Sequence, residues 1–302
     1  MAGPRIGLAL GSGSARGWSH IGVIEGLLEA GIEPDIVCGC SIGALVGAAY
    51  VANQLPRLKD FAQALTWRQI AGLLDVRLSG GGLISGQEIV ALLRKLEISA
   101  PIPSYAKPFA AVATDLATGR EIWLREGQIE EAVRASISLP GIFSPTRHGE
   151  RWLVDGGLVN PVPVSVCRAL GADIVIAVNL NGDLLGRRGL GRNERATDAS
   201  PEFVKRLLKQ VPAAFREQAS AIVPKLLSSA PSKPGYFEVL MNSINVMQDQ
   251  ITRARLAGEP PHVMLVPRLG DVGLLEFNRA AETIPEGRAC VDQALPFLQR
   301  YL

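Results

Sequence analysis

The chain has 302 residues, of which 47% are hydrophobic and 20% are charged. This length and apolar fraction suffice to bury a full core in one large domain or two modest ones, and they exclude disordered, collagen-like and disulfide-scaffold classes. With 31 Lys or Arg against 29 Asp or Glu, the formal net charge is +2. This balance gives no overall electrostatic argument for a nucleic-acid partner, and we expect none.

Cysteine usage and the apolar runs bear on the cellular compartment. The four cysteines are too few and too unevenly spaced for a secreted disulfide framework or for a zinc site built from paired CxxC elements. We therefore expect a reducing, cytoplasmic setting and no bound metal. The first residues lack the apolar stretch of a signal peptide, and no uncharged apolar run reaches the length of about 18 residues that predicts a transmembrane helix.

The first fifty residues alternate between strand and helix signals. The apolar run Ile6–Leu10 predicts a strand, which is followed by the glycine-rich loop Gly11–Gly17. Apolar residues at helical spacing then predict a helix that ends near Gly31, where a glycine suits a C-cap. A second buried strand, Ile36–Gly39, precedes a helix of small residues, Ile42–Ala52. This alternation predicts a parallel sheet with helices on both faces.

The same signals continue along the chain. Further strands are predicted at Phe109–Thr114, Glu121–Leu124, Trp152–Val154, Asp173–Val178 and Val263–Val266. Further helices are predicted at Gln87–Leu96, Ile129–Ser136, Val164–Leu170 and Ala280–Leu302. The patch Ser79–Gly82 predicts a mobile connection.

The segment Asp183–Gly235 differs in composition from the rest of the chain. It holds ten Lys or Arg and five Asp or Glu, a net charge of +5. An arginine-rich loop precedes an amphipathic helix that carries Phe203, Leu207 and Phe215 on one side. We interpret the segment as an insertion or cap on the α/β core, and not as an independent domain. A basic helix lying on an anionic membrane surface is the alternative.

The sequence Gly39-Cys40-Ser41-Ile42-Gly43 matches G-x-S-x-G, the pattern of a nucleophile elbow. In such an elbow, a sharp turn from strand to helix exposes the serine oxygen, and the flanking glycines relieve crowding. A strand prediction ends at Gly39 and a helix prediction begins at Ile42, which is the context that the pattern requires. An unreactive Gly-Ser turn remains the alternative.

The glycine-rich loop has two candidate functions. Its backbone N–H groups lie at the start of a helix, where they could stabilise an oxyanion or bind a phosphate. A dinucleotide site requires G-x-G-x-x-G and an acidic residue at the end of the second strand. Here the third glycine comes one position late, and Asp35 precedes the second strand instead of ending it. We therefore favour the oxyanion hole.

A serine nucleophile needs a base, and both histidine and carboxylate candidates exist. The chain has three histidines, and His20 lies on the apolar face of its helix, which predicts a core histidine. His148 lies in a polar turn. The order Ser41, Asp155, His262 is that of an α/β-hydrolase triad. The alternative is a carboxylate alone: Asp155 follows a strand and precedes two glycines, although an ordinary aspartate is a weak base.

Together these residues resemble the patatin-like phospholipase family in its compact bacterial form. The shared motifs, in chain order, are the glycine loop with Trp18–Val23 after it, Gly39–Gly43, Ser136–Phe143 and Asp155–Gly157. The C-terminal third matches loosely. The resemblance implies one domain over residues 1–302, a three-layer α/β/α sandwich with a mostly parallel central sheet, in which residues 183–262 form a helical insertion or cap.

The resemblance also implies an activity, the hydrolysis of lipid acyl esters without a metal or other cofactor. Ser41 would be the nucleophile and Asp155 the base of a Ser-Asp dyad. The oxyanion hole would consist of the backbone N–H groups of Gly11, Ser12, Gly13 and Ser14. Arg16 would position this loop or meet an anionic headgroup. Ser12 stands where plant-type members carry a glycine, and a non-catalytic, regulatory member of the family is the competing hypothesis.

Overall fold

The predicted strands lie side by side in one mixed sheet in the computed structural model, which describes residues 3–66, 85–183 and 236–301. In chain order these strands are β1 (Ile6–Leu10), β2 (Ile36–Cys40), β3 (Phe109–Asp115), β4 (Glu121–Leu124), β5 (Thr146–His148), β6 (Arg151–Asp155), β7 (Ile174–Val178) and β8 (Val263–Leu265). Across the described part of the sheet the order is β5-β6-β3-β2-β1-β7-β8, and β4 also pairs with β3.

The pairing separates a parallel centre from an antiparallel side. Strands β3, β2, β1, β7 and β8 run parallel to their neighbours. Strands β4 and β6 pair antiparallel with β3, and β5 pairs antiparallel with β6. Because β1 and β2 are buried along their whole length, they carry continuous apolar runs instead of an alternating pattern.

Helices cover both faces of the sheet. Those of the described residues are α1 (Ser19–Glu29), α2 (Ile42–Val51), α3 (Leu55–Ala64), α4 (Gln87–Lys95), α5 (Ile129–Ser136), α6 (Val164–Ala169), α7 (Tyr236–Gly258) and α8 (Ala280–Leu298). Successive residues of β1 point into different cores: Leu8 and Leu10 join the core under α1, α2 and α8, whereas Ala9 joins the core under α6. The fold is therefore a three-layer α/β/α sandwich with a mostly parallel sheet, as predicted.

Most predicted elements are found within one or two residues of their expected ends. The helix predicted over Ala280–Leu302 ends at Leu298. The polar turn predicted around His148 is found at residues 149–150. His148 itself belongs to strand β5 (Thr146–His148), which this turn connects to β6 in a hairpin. This edge strand is largely exposed and carries no apolar alternation, so its sequence gives no strand signal.

The described residues include only part of two predicted segments. The patch Ser79–Gly82 lies outside them, and so does Asp183–Gly235 beyond its first residue. The cap and membrane interpretations of that segment stay predictions. Of the region 183–262, helix α7 is the main described element, and it packs beside the turn that follows β6. In the described ranges, no helix has both the length and the apolar character needed to cross a membrane.

Candidate active site

Ser41 occupies the turn between β2 and α2, where its backbone has φ 56° and ψ −123°. Residues with a side chain rarely adopt a positive φ, and such strain is typical of functional turns. The glycines on both sides allow the close approach of helix and sheet. A Cβ on Gly39 would lie 2.4 Å from the backbone of Ala44, and one on Gly43 would lie 2.2 Å from the carbonyl oxygen of Leu10. The predicted strand-turn-helix geometry around Ser41 is confirmed.

Asp155 ends β6, two strands away from β2, and its side chain reaches the serine. Ser41 Oγ donates a hydrogen bond to Asp155 Oδ2 over 2.6 Å. The other carboxylate oxygen, Oδ1, accepts from the backbone N–H of Gly157 over 2.7 Å. The two hydrogen bonds hold the carboxylate in one orientation, facing the hydroxyl. Sheet pairing thus brings together two residues that lie 114 positions apart in the chain.

The environment of Asp155 changes its basicity. The residue is 1% exposed. Burial raises the pKa of Asp155 to about 6, although the hydrogen bonds from Ser41 and Gly157 lower it. At neutral pH the carboxylate is therefore still ionised, but it is a stronger base than an aspartate in water. This shift reduces the mismatch in basicity between an aspartate and a serine hydroxyl, which is the main chemical objection to an aspartate as the base.

Two serines of the Ser136–Phe143 stretch support the pair. Ser136 Oγ accepts from the backbone N–H of Ser41 over 2.8 Å and donates to the carbonyl of Val112 over 2.6 Å. The backbone carbonyl of Ser138 accepts from the N–H of Asp155 over 2.9 Å. The stretch therefore fixes the backbone at both members of the pair.

The glycine loop lies beside Ser41, but only part of it can bind an oxyanion. The N–H of Gly11 donates to Val178 O over 3.1 Å, and the N–H of Ser12 donates to Pro161 O over 2.8 Å. These two N–H groups already donate to backbone carbonyls and are not available to an oxyanion. The prediction that all four positions contribute to the oxyanion hole is therefore corrected. The N–H groups of Gly13 and Ser14 have no hydrogen-bond partner among the described residues.

Arg16 anchors this loop from behind. Its Nε donates to the carbonyl of Gly13 over 3.1 Å. In a trans peptide the carbonyl and the following N–H point in opposite directions. The bond from Arg16 therefore turns the N–H of Ser14 away from the guanidinium. Arg16 is 1% exposed, which fits the predicted positioning role and not contact with a headgroup in solvent.

The histidines take no part in this arrangement. His20 is buried, so the prediction of a core histidine is confirmed. Its Nε2 bonds to the carbonyl of Gly11 over 2.8 Å, whereas its Nδ1 has no hydrogen-bond partner among the described residues, and burial lowers the pKa of His20 to about 4. His262 precedes β8 and accepts from the N–H of Val175 over 3.0 Å. Because β8 runs parallel to β2, His262 lies at the opposite edge of the sheet from Ser41. The Ser-Asp-His triad is therefore wrong.

A pocket opens above Ser41 and Asp155. It encloses about 1060 Å³, counting the solvent at its mouth, and Gly13 and Ser14 lie in its wall. Its lining is mostly apolar and includes Leu45, Ile137, Leu139, Ile142, Met241 and Ile244. This volume and lining suit an apolar group next to a few polar atoms.

Helix α7 closes one side of the pocket and was missed as part of the site by the sequence analysis. Its Asn245 and Gln248 are buried and line the pocket. Asn245 Oδ1 accepts from Arg16 over 3.4 Å, and Gln248 Oε1 accepts from Ser12 Oγ over 3.2 Å. The available signal was two amides three positions apart, on the same helical face as the apolar Met241 and Ile244.

The structure also bears on cofactor sites. Asp35, the acid considered for a dinucleotide site, accepts from the N–H of Ile6 over 2.7 Å before β2 begins. It therefore has a structural partner at the edge of the sheet opposite the glycine loop. In the part of the chain that the structure describes, no group of three or more His, Cys, Asp or Glu side chains is arranged to hold a metal ion.

Comparison with known proteins adds the following findings. Residues 8–168 match the sequence model of the family described as "Patatin-like phospholipase". An uncharacterized NTE family protein of Mycobacterium tuberculosis is 34% identical over 97% of this chain and 91% of its own length. Lysophospholipase NTE1 of Pyricularia oryzae is 30% identical over 99% of this chain but 19% of its own. The crystal structure of VipD from Legionella pneumophila has a TM-score of 0.48 and 12% identity, covering 98% of this chain and 67% of VipD.

Proposed function

Because the chain belongs to the patatin-like phospholipase family, we propose that it is a serine acyl hydrolase that cleaves lipid esters with a Ser41–Asp155 dyad. The observation that carries the proposal is the 2.6 Å hydrogen bond from Ser41 Oγ to the buried Asp155, at the base of an apolar pocket. The substrate class is that of phospholipase A, lysophospholipase and lipid esterase reactions. The name of the relative in Pyricularia oryzae, a lysophospholipase, supports this class.

The first half of the proposed reaction forms an acyl-enzyme. Asp155 accepts the proton of Ser41 as Oγ attacks the ester carbonyl carbon, and the carbonyl oxygen becomes an oxyanion. The N–H groups of Gly13 and Ser14 stabilise that charge, each with a contribution on the order of 3 kcal/mol. The tetrahedral intermediate then expels the alcohol, which takes the proton from Asp155. The acyl group remains bound to Ser41 as an ester.

The second half regenerates the enzyme. A water molecule attacks the acyl-enzyme, and Asp155 accepts its proton. The new tetrahedral intermediate releases the fatty acid, and the proton returns from Asp155 to Ser41 Oγ. Throughout both halves the acyl chain lies in the apolar pocket, which keeps bulk water away from the carboxylate and preserves its raised pKa.

The test is ester turnover by single variants. With a p-nitrophenyl ester of a long-chain fatty acid, we expect Ser41→Ala and Asp155→Ala to lose about 10³-fold or more of kcat. His262→Ala, which removes an imidazole at the opposite edge of the sheet, serves as the matched control and keeps its activity. An inactive His262→Ala beside an active Asp155→Ala would contradict the dyad.

A fluorophosphonate probe separates the hydrolase from a non-catalytic family member. The probe forms a covalent bond to an activated serine and releases fluoride, so wild type is labelled and Ser41→Ala is not. A folded wild-type protein that is never labelled at Ser41 supports the regulatory module instead. Turnover of phospholipids, lysophospholipids and simple esters by unlabelled wild-type protein then identifies the headgroup preference.

A further inference from the structure

Asn245 lies on the α7 side of the pocket, and only one of the two polar atoms of its side-chain amide has a hydrogen-bond partner among the described residues. Its Oδ1 accepts a hydrogen bond from Arg16. Its Nδ2 is shielded from water and has no hydrogen-bond partner among the described residues. The assignment of the two amide atoms follows from chemistry. A guanidinium only donates hydrogen bonds, so the atom that faces Arg16 must be the oxygen. The amino group is therefore the end that is left unpaired.

An unpaired buried donor is costly, on the order of 1–3 kcal/mol. In native proteins each such group calls for an explanation, and a partner that binds at a functional site is one. Asn245 is 7% exposed and forms part of the wall of the same pocket as Ser41 and Asp155. The location points to the substrate as the missing partner.

Asn245 and the glycine loop accept hydrogen bonds from the same side chain. One guanidinium binds two acceptors, because Nε of Arg16 donates to Gly13 O and Nη2 donates to Asn245 Oδ1. Gly13 O belongs to the peptide group whose N–H is that of Ser14. Asn245 Oδ1 belongs to the side-chain amide whose amino group is Nδ2. The peptide between Gly13 and Ser14 and the side chain of Asn245 are thus neighbouring amides held by the same cation. Each presents a donor that has no protein partner among the described residues.

We propose that Asn245 is a further catalytic residue, whose Nδ2 donates a hydrogen bond to the oxyanion formed from the substrate ester. The inference rests on the proposed hydrolase function. In the tetrahedral intermediate the charged oxygen lies between the loop N–H groups and the amide of Asn245. Helix α7 thereby supplies a side-chain donor to an oxyanion hole whose other donors are backbone groups.

The test uses two substitutions with different consequences for Arg16. Asn245→Asp keeps the shape and the acceptor for Arg16 but removes the amino donor, whereas Asn245→Ala removes both. We expect kcat/KM for a p-nitrophenyl ester to fall about 100-fold in each variant, with KM within threefold of wild type. Ser243→Ala, an exposed position on the same helix that does not line the pocket, is the control and is expected to retain wild-type kinetics.

A trifluoromethyl ketone distinguishes donation from structural support. Ser41 Oγ adds to its carbonyl carbon, Asp155 takes the proton, and the resulting hemiketal oxygen occupies the oxyanion hole. We expect the affinity for the ketone to fall by the same factor as kcat/KM, while the affinity for the corresponding alcohol, which forms no hemiketal, stays unchanged. Thermal unfolding identifies the variants that fold. If Asn245→Ala does not fold, Asn245→Asp alone is used for the test.

The outcomes separate this inference from the proposed function. Wild-type kinetics in Asn245→Asp, or an equal loss of affinity for ketone and alcohol, would overturn the role of Asn245 and leave the dyad intact. A wild-type protein with no ester turnover and no fluorophosphonate labelling would overturn both. Low kcat/KM in both variants, together with a selective loss of ketone affinity, supports a third donor.

Discussion

The sheet edge and helix α7 contribute to the wall of one pocket by different means. At the sheet edge, backbone geometry determines the site. Ser41 has a positive φ, and a Cβ on Gly43 would lie 2.2 Å from the carbonyl oxygen of Leu10. Hydrogen bonds to the neighbouring backbone orient the N–H groups of the glycine loop. On α7, the polar contribution comes from two side-chain amides, Asn245 and Gln248, on an otherwise ordinary helix.

This difference determines how much change each side can accept. A backbone contact that requires glycine admits no side chain at all, because the neighbouring carbonyl is fixed in the sheet. A side chain on a helix face can be exchanged while the helix stays in place. We therefore expect substitutions at the sheet edge to damage folding and those on α7 to damage catalysis while folding is retained.

Gly43→Ala would test the sheet edge with the largest expected effect. A Cβ at this position would lie 2.2 Å from Leu10 O, and neither β1 nor α2 can move without breaking the elbow. We expect the free energy of unfolding to fall by about 3 kcal/mol or more in urea titrations. Gly258→Ala, where no atom lies within 4 Å of the new Cβ, is the matched control. We expect it to change the free energy of unfolding by less than about 0.5 kcal/mol. Equal stability of the two variants would refute the steric argument.

The same difference explains what could be predicted from the sequence. Glycines and a serine at fixed spacing mark the elbow because close backbone approach permits few residue types. The buried strands were predictable because they carry continuous apolar runs, and β4 and α5 were predicted with their observed bounds. The proximity of Ser41 and Asp155 followed from the resemblance, since pairing of β6 with β3 cannot be deduced from local patterns.

Two features of the site could not be established from local sequence patterns. Which loop N–H groups remain free depends on Val178 and Pro161, whose carbonyls lie far along the chain and accept from Gly11 and Ser12. The proposed role of Asn245 depends on the packing of α7 against the loop, and two amides on a helix are equally compatible with a solvent-facing position. Both features are tertiary, so they required coordinates.

Arg16 connects the two sides, and its replacement tests whether they act together. Arg16→Ala would leave Gly13 O and Asn245 Oδ1 without this donor, so we expect kcat for ester hydrolysis to fall about 10- to 100-fold. In Arg16→Lys we expect kcat to fall by a similar factor, because a compact ammonium group cannot bind two acceptors as the planar guanidinium does. Arg120→Ala, an exposed arginine, is the control. Wild-type kcat in Arg16→Lys would show that charge alone is sufficient.

The smallest expected change in a measured quantity is a shift of a few degrees in Tm, and it comes from the buried charge of Asp155. Burial raises the pKa of Asp155 from 3.8 to about 6 on folding. Between these values the folded state binds a proton that the unfolded chain has lost, so the free energy of unfolding decreases as pH rises from about 4 to about 6. Above pH 6 the ionised carboxylate reduces the stability of the fold by an amount on the order of 2–3 kcal/mol.

Asp155→Asn removes this charge and keeps the neighbouring contacts. The new amide oxygen accepts from the N–H of Gly157, and the amino group faces Ser41 Oγ. We expect an inactive protein whose Tm at pH 8 exceeds that of wild type by a few degrees, with the difference shrinking towards pH 4. Thermal unfolding at both pH values measures it. If Asp155→Asn were instead less stable than wild type at pH 8, the ionised carboxylate would be a net stabilising group, and its raised pKa would have to be rejected.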